Sequence, residues 1–515
     1  MRPVRLLRAA ATVGAWTLVS RLLGFLRDVA IAAVLGAGIA ADAFFVAFKL
    51  ANLLRRLFAE GAFQAAFVPL FTRLLEEGGR QRAARFAAEA LALMALALLL
   101  VVAVVEAFMP WVVRAVATGF APDGPRYRLA VDLARITFPY LFFISLTALL
   151  AGVLNGLGRF AAAAFAPVLL NVSLLFMLGL AVLGLARPPY ALAWGVLVAG
   201  LAQLLLLARA VRRAGLVLRP ARPGLGPEIR KLFRLMLPGL FGAGVYQVNL
   251  LIDTWFASLL PAGAVSYLFY ADRLTQLPLG VVGVALGTAL LPALARSLRA
   301  GAGAEARALQ ARAVEFGLLL ALPAALGLHL LALPVVQGLF ERGAFDAEAS
   351  RATAAALKAF ALGLPAYVLV KIFAAAFFAR EDTRTPVLVA ALCLVVNVLL
   401  ILALIGPLAH VGIALATALA NWVNAGLLAL LLARRAALGV DRRLVRRLFG
   451  IALAALAMAA VLWPLLTATA SWSPLVRLAV LVGTGALAYA VCAPLFGAFD
   501  PREVRAAMGS RGVGT

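Results

Sequence analysis

Charged side chains interrupt an apolar stretch between Ser20 and Arg73 that is long enough to cross a membrane more than once. The charged residues within it include Arg21, Arg27, Asp28, Asp42, Lys49, Arg55, Arg56 and Glu60. At the centre of a membrane helix, each such side chain costs roughly 2.5 to 3.5 kcal/mol. We therefore expect the set to face a water-filled cavity or an anionic ligand rather than lipid.

The spacing of these residues predicts a polar face on a helix. Asp42, Lys49 and Arg56 are each seven positions apart, so on an α-helix they return to nearly the same side, with Asn52 beside them. We expect this stripe to line an interior. For single residues the alternative is pairing within the chain, such as Arg27 with Asp28 or Lys49 with Asp42.

Arginine is well suited to phosphate, because its planar guanidinium donates two parallel hydrogen bonds and stays charged when dehydrated. The arginines suited to a diphosphate head group are Arg21, Arg27, Arg55 and Arg273. The nearby acids are Asp28, Asp42, Glu60 and Asp272. These carboxylates either compete with the ligand for the arginines or are simple charge partners, and the sequence leaves both interpretations open.

Hard oxygen ligands for a cation are offered by Asp253, with Asn249 one turn before it, and by Asp382. For Asp382 the stronger alternative is an ion pair with Arg380 or Arg384. Coupling to a monovalent cation, Na⁺ or H⁺, is therefore an expectation of the sequence, and no cofactor is predicted.

The elements that position these residues are membrane helices. The chain is 65% hydrophobic over 515 residues, with many apolar runs of about 20 residues, the length that crosses a bilayer. We expect an all-α polytopic membrane protein with about fourteen spans. The predicted spans are 12-38, 41-72, 83-110, 129-155, 162-185, 190-210, 230-259, 264-297, 312-337, 353-378, 385-406, 410-433, 447-468 and 475-498.

The net charge of +25 does not indicate nucleic acid, because it lies mostly in loops on one side of the predicted membrane. Loops 209-234 and 434-447 are rich in arginine, whereas 259-265 and 406-410 have no Lys or Arg. The positive-inside rule then predicts that both termini are cytoplasmic. No nucleotide-binding P-loop and no catalytic motif is present in the sequence, which favours a transporter over an enzyme.

An internal repeat of about 220 residues divides the predicted helices into two sets. Its three matches are Pro69 with Pro292, Pro167 with Pro386, and Arg209 with Arg434. Each unit holds six spans, so the two copies share an orientation and predict two lobes around a central cleft. The lobes are 1-215 and 223-439, followed by 440-515, which contains two extra helices without a copy. The repeat brings Arg273 and Ser266, which share one helix face, to the cleft.

Several stretches resemble a known family. They are Ser20 to Asp28, Gly36 to Phe63, Tyr270 to Leu274, Leu286 to Pro292 and Ala379 to Pro386. Together with the fourteen-span plan, they are similar to the MurJ/MviN lipid II flippases of the MOP transporter superfamily. The resemblance covers essentially the whole chain.

The resemblance implies a flippase that moves lipid II, an undecaprenyl-diphosphate-linked disaccharide-pentapeptide, to the outer leaflet of the bacterial inner membrane for peptidoglycan synthesis. It implies that the four arginines named above contact the substrate and that the last two helices hold the polyprenyl tail. Partners expected on this basis are lipid II, membrane lipids and cell-wall synthases. The alternatives are another exporter of the superfamily, for drugs or lipid-linked oligosaccharide, and a scaffold that binds the precursor without transporting it.

Overall fold

Helices make up the regular structure of the part of the chain described by the computed structural model. It describes the backbone of residues 3–58, 62–219 and 221–500, and the side chains of these except 3–10, 54–58, 62, 237–246, 281–289 and 291. The helices are α1 (Pro3–Leu35), α2 (Ile39–Phe58), α3 (Ala62–Ala107), α4 (Met109–Val116), α5 (Pro125–Thr137), α6 (Tyr140–Gly156), α7 (Ala161–Val182), α8 (Pro188–Arg213), α9 (Pro227–Ser258), α10 (Ala264–Arg299), α11 (Gly303–Leu330), α12 (Ala332–Phe340), α13 (Ala347–Phe378), α14 (Arg384–Arg434), α15 (Arg442–Ala468) and α16 (Pro474–Leu495).

Local sequence explains several of the helix ends. Asp346 and Asp441 are N-caps whose carboxylates accept hydrogen bonds from the amides of Ala349 and Leu444. Proline lies in the first turn of α5, α8, α9 and α16, where the missing N–H would be unsatisfied in any case.

The chain divides into two compact units. Unit 1 consists of residues 1–266 and 342–345, and unit 2 of residues 267–341 and 346–515. Each unit has its own apolar core. The lobes predicted from the repeat, 1-215 and 223-439, and the segment 440-515 stay a prediction.

The core of unit 1 is built on α3, where Phe63, Phe67 and Phe71 stack along one face. Phe86 stacks on Phe67 from the second half of the same helix. The side chains of α6, α8 and α9 complete this core with Leu149, Val153, Leu207 and Ile229.

The short loop 342–345 is held against the end of α1 through backbone groups. The amide of Ala344 donates to the carbonyl of Ala33 at 2.8 Å. Gly343 has φ of +59°, and a Cβ there would lie 2.2 Å from the Ala33 oxygen. This approach therefore requires glycine.

The core of unit 2 lies between α11, α13 and α14, with Ile372, Phe373 and Phe377 of α13 at its centre. The last two helices pack on α11, where the Tyr489 hydroxyl donates to the Leu319 carbonyl at 2.8 Å. Phe449, Leu456 and Trp463, seven residues apart on α15, are all exposed and form an apolar stripe. We call these three residues the α15 stripe.

The all-α polytopic class is confirmed, and the two non-helical residues inside long helices fall between predicted spans. Nine helices in the described residues are long and apolar enough to cross a membrane. One of them, α14, contains both predicted spans 385-406 and 410-433 around a non-helical Ala409. The predicted span 41-72 covers α2 and the start of α3, with residues 59–61 outside the described part of the chain. The non-helical Gly79 of α3 lies between the predicted spans 41-72 and 83-110. The gaps between the apolar runs therefore indicated both positions.

Candidate functional site

Arg27 and Asp28 form a buried ion pair on α1. Arg27 is 6% exposed and Asp28 is 3% exposed. The Nε and Nη2 atoms of Arg27 both donate to Oδ1 of Asp28, at 3.0 and 2.6 Å. The pairing that was the alternative for these two residues is therefore present in the structure.

Asn171 of α7 is the second partner of Arg27. Its Oδ1 accepts a hydrogen bond from Nη1 of Arg27 at 2.9 Å, while its Nδ2 donates to the carbonyl of Ser20 at 2.9 Å. A Cβ at Gly24 would meet the Asn171 amide at 3.6 Å, an ordinary van der Waals contact, so this approach does not depend on glycine. Asn171 thus fixes the guanidinium from a different helix, and the sequence analysis missed it.

Asp42 and Ser266, both predicted site residues, are brought together at the start of α10. The carboxylate of Asp42 is fully buried and accepts hydrogen bonds from the amides of Gly263 and Ser266, at 2.8 and 2.9 Å. The Ser266 hydroxyl also donates to it. Asp42 therefore caps the first turn of α10, where a negative charge is favourable.

Arg126, at the start of α5, is the ion-pair partner of Asp42. Its Nη1 lies 3.3 Å from Oδ2 of Asp42, and its Nη2 donates to the carbonyl of Ser258 at 3.0 Å. The guanidinium also lies over the ring of Phe120, 4.0 Å from its centroid. One arginine thus joins the start of α2, the end of α9 and the loop before α5, and the sequence analysis did not identify it.

Lys49 donates to the hydroxyl of Thr254 on α9 at 2.9 Å. The sequence suggested that Lys49 pairs with Asp42, but the ion-pair partner of Asp42 is Arg126. Along the predicted stripe, Asp42 is buried whereas Lys49 and Asn52 are half-buried. The Asn52 amide donates to the carbonyl of Phe48 at 2.8 Å.

Arg273 and Asp272 lie in unit 2, on α10. Arg273 is half-buried, with its guanidinium 4.8 Å from the centroid of the Phe269 ring. Gln276, one turn further along the helix, contacts both, donating to Asp272 and accepting from Arg273. Arg21 is exposed on α1 in unit 1.

The side chains of the remaining predicted head-group residues are not among those that the structure describes. Arg55 and Arg56 belong to α2, but their side chains lie outside the described residues, as does the whole of Glu60. Their suggested contacts with a ligand stay predictions.

Of the suggested cation ligands, Asn249 and Asp253 are half-buried on α9. Asp382 lies in the loop before α14, with Oδ1 accepting from the Thr385 amide at 3.0 Å and Oδ2 from Nη1 of Arg435 at 2.6 Å. The pairing expected with Arg380 or Arg384 is thus made with Arg435 instead. The Thr385 amide and hydroxyl, together with Arg435, lower the pKa of Asp382 to about 2.

Comparison with solved structures shows the fold. The chain matches an inward-facing multidrug resistance MATE family transporter of the MOP superfamily at 15% identity, covering 83% of this chain and 98% of that one, with a TM-score of 0.68. It matches a lipid II flippase MurJ in an inward closed conformation at 24% identity, covering 94% and 98%, with a TM-score of 0.80. The chain therefore has the same fold as these two proteins.

Sequence comparison defines the family. The model of the family described as lipid II flippase MurJ matches residues 31–483. A probable lipid II flippase MurJ of Rhizobium meliloti is 48% identical over 89% of this chain and 86% of its own length. The lipid II flippase MurJ of Burkholderia cenocepacia is 40% identical over 84% of both. The chain belongs to the MurJ family, which confirms the resemblance and the expectation of a transporter rather than an enzyme.

Proposed function

We propose that this chain translocates lipid II from the inner to the outer leaflet of the bacterial inner membrane. Membership of the MurJ family supports the substrate and the membrane. The observation that carries the chemistry is the buried guanidinium of Arg27, held in a fixed orientation by Asp28 and Asn171. An oriented arginine inside a membrane protein is suited to a diphosphate, which it binds through two parallel hydrogen bonds.

We further propose that Arg21, Arg55 and Arg273 bind the same diphosphate. The other polar residues of this head-group site are Asp42, Lys49, Asn52, Arg56, Ser266, Glu60 and Asp272. The contacts of Arg27 support a particular role for Asp28. Because Nε and Nη2 of the guanidinium both donate to one oxygen of Asp28, a diphosphate must displace that carboxylate to bind through this pair of donors. Asp28 then favours release of the substrate by taking the arginine back.

The test is complementation of cells depleted of their own flippase, with lipid II on the outer leaflet measured directly. Arg27→Ala should abolish rescue, and Arg27→Lys should restore it only partly, because a point charge replaces the fork. Arg187→Gln, at an exposed arginine before α8, is the control and should rescue fully. Normal lipid II exposure with Arg27→Ala would contradict the assignment.

Asp28→Asn distinguishes two roles for Asp28, as a competitor of the diphosphate or as a simple charge partner of Arg27. If Asp28 competes with the diphosphate, the variant should bind lipid II more tightly, by roughly tenfold for a lost charge-assisted hydrogen bond, yet flip it more slowly. A plain partner predicts weaker binding, because Arg27 loses its support. Titration of purified protein with lipid II distinguishes these two results.

We propose alternating access as the mechanism, with two lobes that rock about the head-group site. A cysteine at the half-buried Asn52, in protein with Cys393 and Cys492 replaced, should react with a membrane-impermeant thiol reagent from both sides of the membrane. A cysteine at the exposed Ser471, between α15 and α16, is the control and should react from outside only. Labelling of Asn52 from the cytoplasm alone, during active cell-wall synthesis, would favour the scaffold that binds the precursor without moving it.

The basic loops support a cytoplasmic location for both termini, and the Ser471 control tests this orientation as well.

A partnership with cell-wall synthases is a further proposal that follows from the substrate. Cross-linking in cells, compared between the wild type and an Arg27→Ala protein, would detect a synthase that contacts the loaded flippase.

We propose that the two C-terminal helices, within 447-498, hold the polyprenyl tail. The exposed α15 stripe supports this, because its three side chains present a continuous apolar surface. Trp463→Ala should slow the flipping of native lipid II more than that of an analogue with a short chain. Equal slowing of both substrates would contradict a role for the stripe in binding the tail.

We also propose that a monovalent cation drives the cycle, with Asp253 and Asn249 as its ligands and Asp382 as a further candidate. A cation at Asp382 would have to displace Arg435. In vesicles, Asp253→Asn should remove the dependence of flipping on the Na⁺ or H⁺ gradient. Unchanged dependence would exclude this residue.

A further inference from the structure

Three arginines of unit 2 meet around the loop between α13 and α14. Arg380, within that loop, donates from Nη1 to the carbonyl of Ala376 at 2.6 Å. The guanidinium of Arg435, just after α14, lies over the ring of Phe377, 5.3 Å from its centroid. Arg307, near the start of α11, donates to the carbonyl of Ala436. Arg380 and Arg435 thus contact neighbouring residues at the end of α13, and Arg307 contacts the residue that follows Arg435.

Carboxylates balance the positive charge of this cluster only in part. Asp382 pairs with Arg435, but within the described residues neither Arg307 nor Arg380 has an ion-pair partner. Arg380 is also half-buried, so water solvates its charge only in part. Burial, together with the charges of Arg435 and Arg307, lowers the pKa of Arg380. A bound anion would relieve both effects.

The backbone around the cluster is held in an unfavourable conformation at two places. Glu381, next to Arg380, has φ of +63°, and Ala436, next to Arg435, has φ of +50°. Residues with a Cβ adopt this left-handed region only at a cost, which glycine avoids. Such strain concentrates at functional sites, where the rest of the structure maintains it.

We propose that Arg307, Arg380 and Arg435 form a binding site for a phosphate group, carried by an anionic phospholipid or free in solution. The three guanidinium groups offer forks that match phosphate oxygens. The site also lies where membrane helices end, which is the level of lipid head groups. It does not involve the head-group site on α1 and α2 and does not depend on the proposed function.

The test uses the full-length protein in an uncharged detergent. Its affinity is measured, by titration and by the shift of its unfolding temperature, for dioctanoyl phosphatidylglycerol, dioctanoyl phosphatidylcholine and inorganic phosphate. Ionic strength is held constant with chloride. We expect saturable binding of phosphatidylglycerol and none of phosphatidylcholine, whose head group has no net charge. Binding of phosphatidylglycerol alone identifies a lipid as the source, and binding of inorganic phosphate as well identifies a site for free phosphate. Binding of neither overturns the proposal.

Variants connect this binding to the cluster. Arg380→Gln should weaken binding about tenfold, as expected for the loss of a charge-assisted hydrogen bond, and Arg380→Lys should restore only part of it. Arg307→Gln, at an exposed side chain, should weaken binding similarly and decides the matter if Arg380→Gln does not fold.

The matched control is Arg159→Gln in the corresponding loop of unit 1. Arg159 likewise donates to a carbonyl at a helix end, that of Arg213, at 3.2 Å. We expect its affinity to equal that of the wild type. Unchanged binding in both Arg307→Gln and Arg380→Gln, or an equal loss in Arg159→Gln, would overturn the proposal.

Discussion

Two pairs of helix ends, one pair in each unit, adopt the same turn with different residues. At the ends of α6 and α8 in unit 1, Gly158 and Gly215 have φ of +72° and +78°. At the ends of α13 and α14 in unit 2, Glu381 and Ala436 take the corresponding conformation. In all four turns the amide of this residue bonds back three residues, and the next amide bonds back five. This is the Schellman motif, in which glycine is usual.

A common backbone conformation at these four turns therefore does not imply a common role. Unit 1 forms its turns with the residue that fits them without strain. Unit 2 retains side chains at these positions, beside Arg380 and Arg435. The basic cluster in unit 2 is therefore where we expect strain to have been accepted in exchange for binding.

Among variants at these turns, we expect Asp382→Ala to change the free energy of unfolding most. Asp382 caps α14 by accepting from the Thr385 amide, and it also pairs with Arg435. In unit 1 the corresponding residue, which follows Gly158, is Arg159. Loss of the cap and the ion pair should lower the free energy of unfolding by about 2 kcal/mol. Asp382→Asn keeps a capping oxygen and should lose less than half of that. Equal losses, measured by thermal unfolding in detergent, would show that the cap contributes little.

The next effect concerns the glycines of unit 1. Gly215→Ala places a Cβ in the left-handed region and 2.9 Å from Nη1 of Arg80, so we expect a loss of about 1 to 2 kcal/mol. Gly224→Ala is the control, because a Cβ there would have only one contact, at 3.9 Å. If both variants unfold at the same temperature, the left-handed turn in unit 1 is not under the constraint described.

The reverse change in unit 2 should stabilise the protein. Ala436→Gly removes the strain of the left-handed conformation but increases the entropy of the unfolded chain, for a net gain of up to about 1 kcal/mol. Ala433→Gly, in the last turn of α14, is the control and should destabilise by about 0.5 to 1 kcal/mol. The difference in unfolding temperature between the two variants measures the strain directly, and a loss in Ala436→Gly would remove the argument for it.

The smallest effect is a dependence on pH. The pKa of Asp382 is lowered to about 2 in the folded protein, below the value of about 3.9 in an unfolded chain. Its charged form therefore stabilises the fold above pH of about 4, and this contribution is lost as the pH falls toward about 2. The gap in unfolding temperature between the wild type and Asp382→Ala should be full at neutral pH and smaller in acid. A gap that does not narrow would assign the effect to packing.

The sequence was sufficient for the class of fold because long apolar runs in water-soluble proteins are rare and only helices suit them here. It was also sufficient for Arg27 with Asp28, because the two are adjacent in the chain. The glycine turns at Gly158 and Gly215 are of the type that a sequence can indicate. In contrast, nothing in the sequence marks the same turn at Glu381 and Ala436.

The partners of the site residues were not predictable, because they depend on which helices pack together. Asn171 and Thr254 are single polar residues within apolar helices, and no local pattern relates them to Arg27 or Lys49. Arg126 follows a Gly-Pro pair and resembles an ordinary loop residue. The partner of Asp382, Arg435, is more distant in the chain than the two arginines beside the carboxylate. The break at Ala409, in contrast, does have a local signal, because Gly406 and Pro407 come just before it and the predicted spans end at 406 and begin at 410.

The loop 342–345 has a consequence for how the protein is made. Unit 1 includes this loop, whose Ala344 bonds to Ala33, although residues 267–341 in between belong to unit 2. A ribosome adds about 5 to 20 residues per second, so residues 267–341 need on the order of ten seconds. During that interval the end of α1 is without its last backbone partner. Unit 1 can therefore reach its final form only after residues 267–341 of unit 2 have been made.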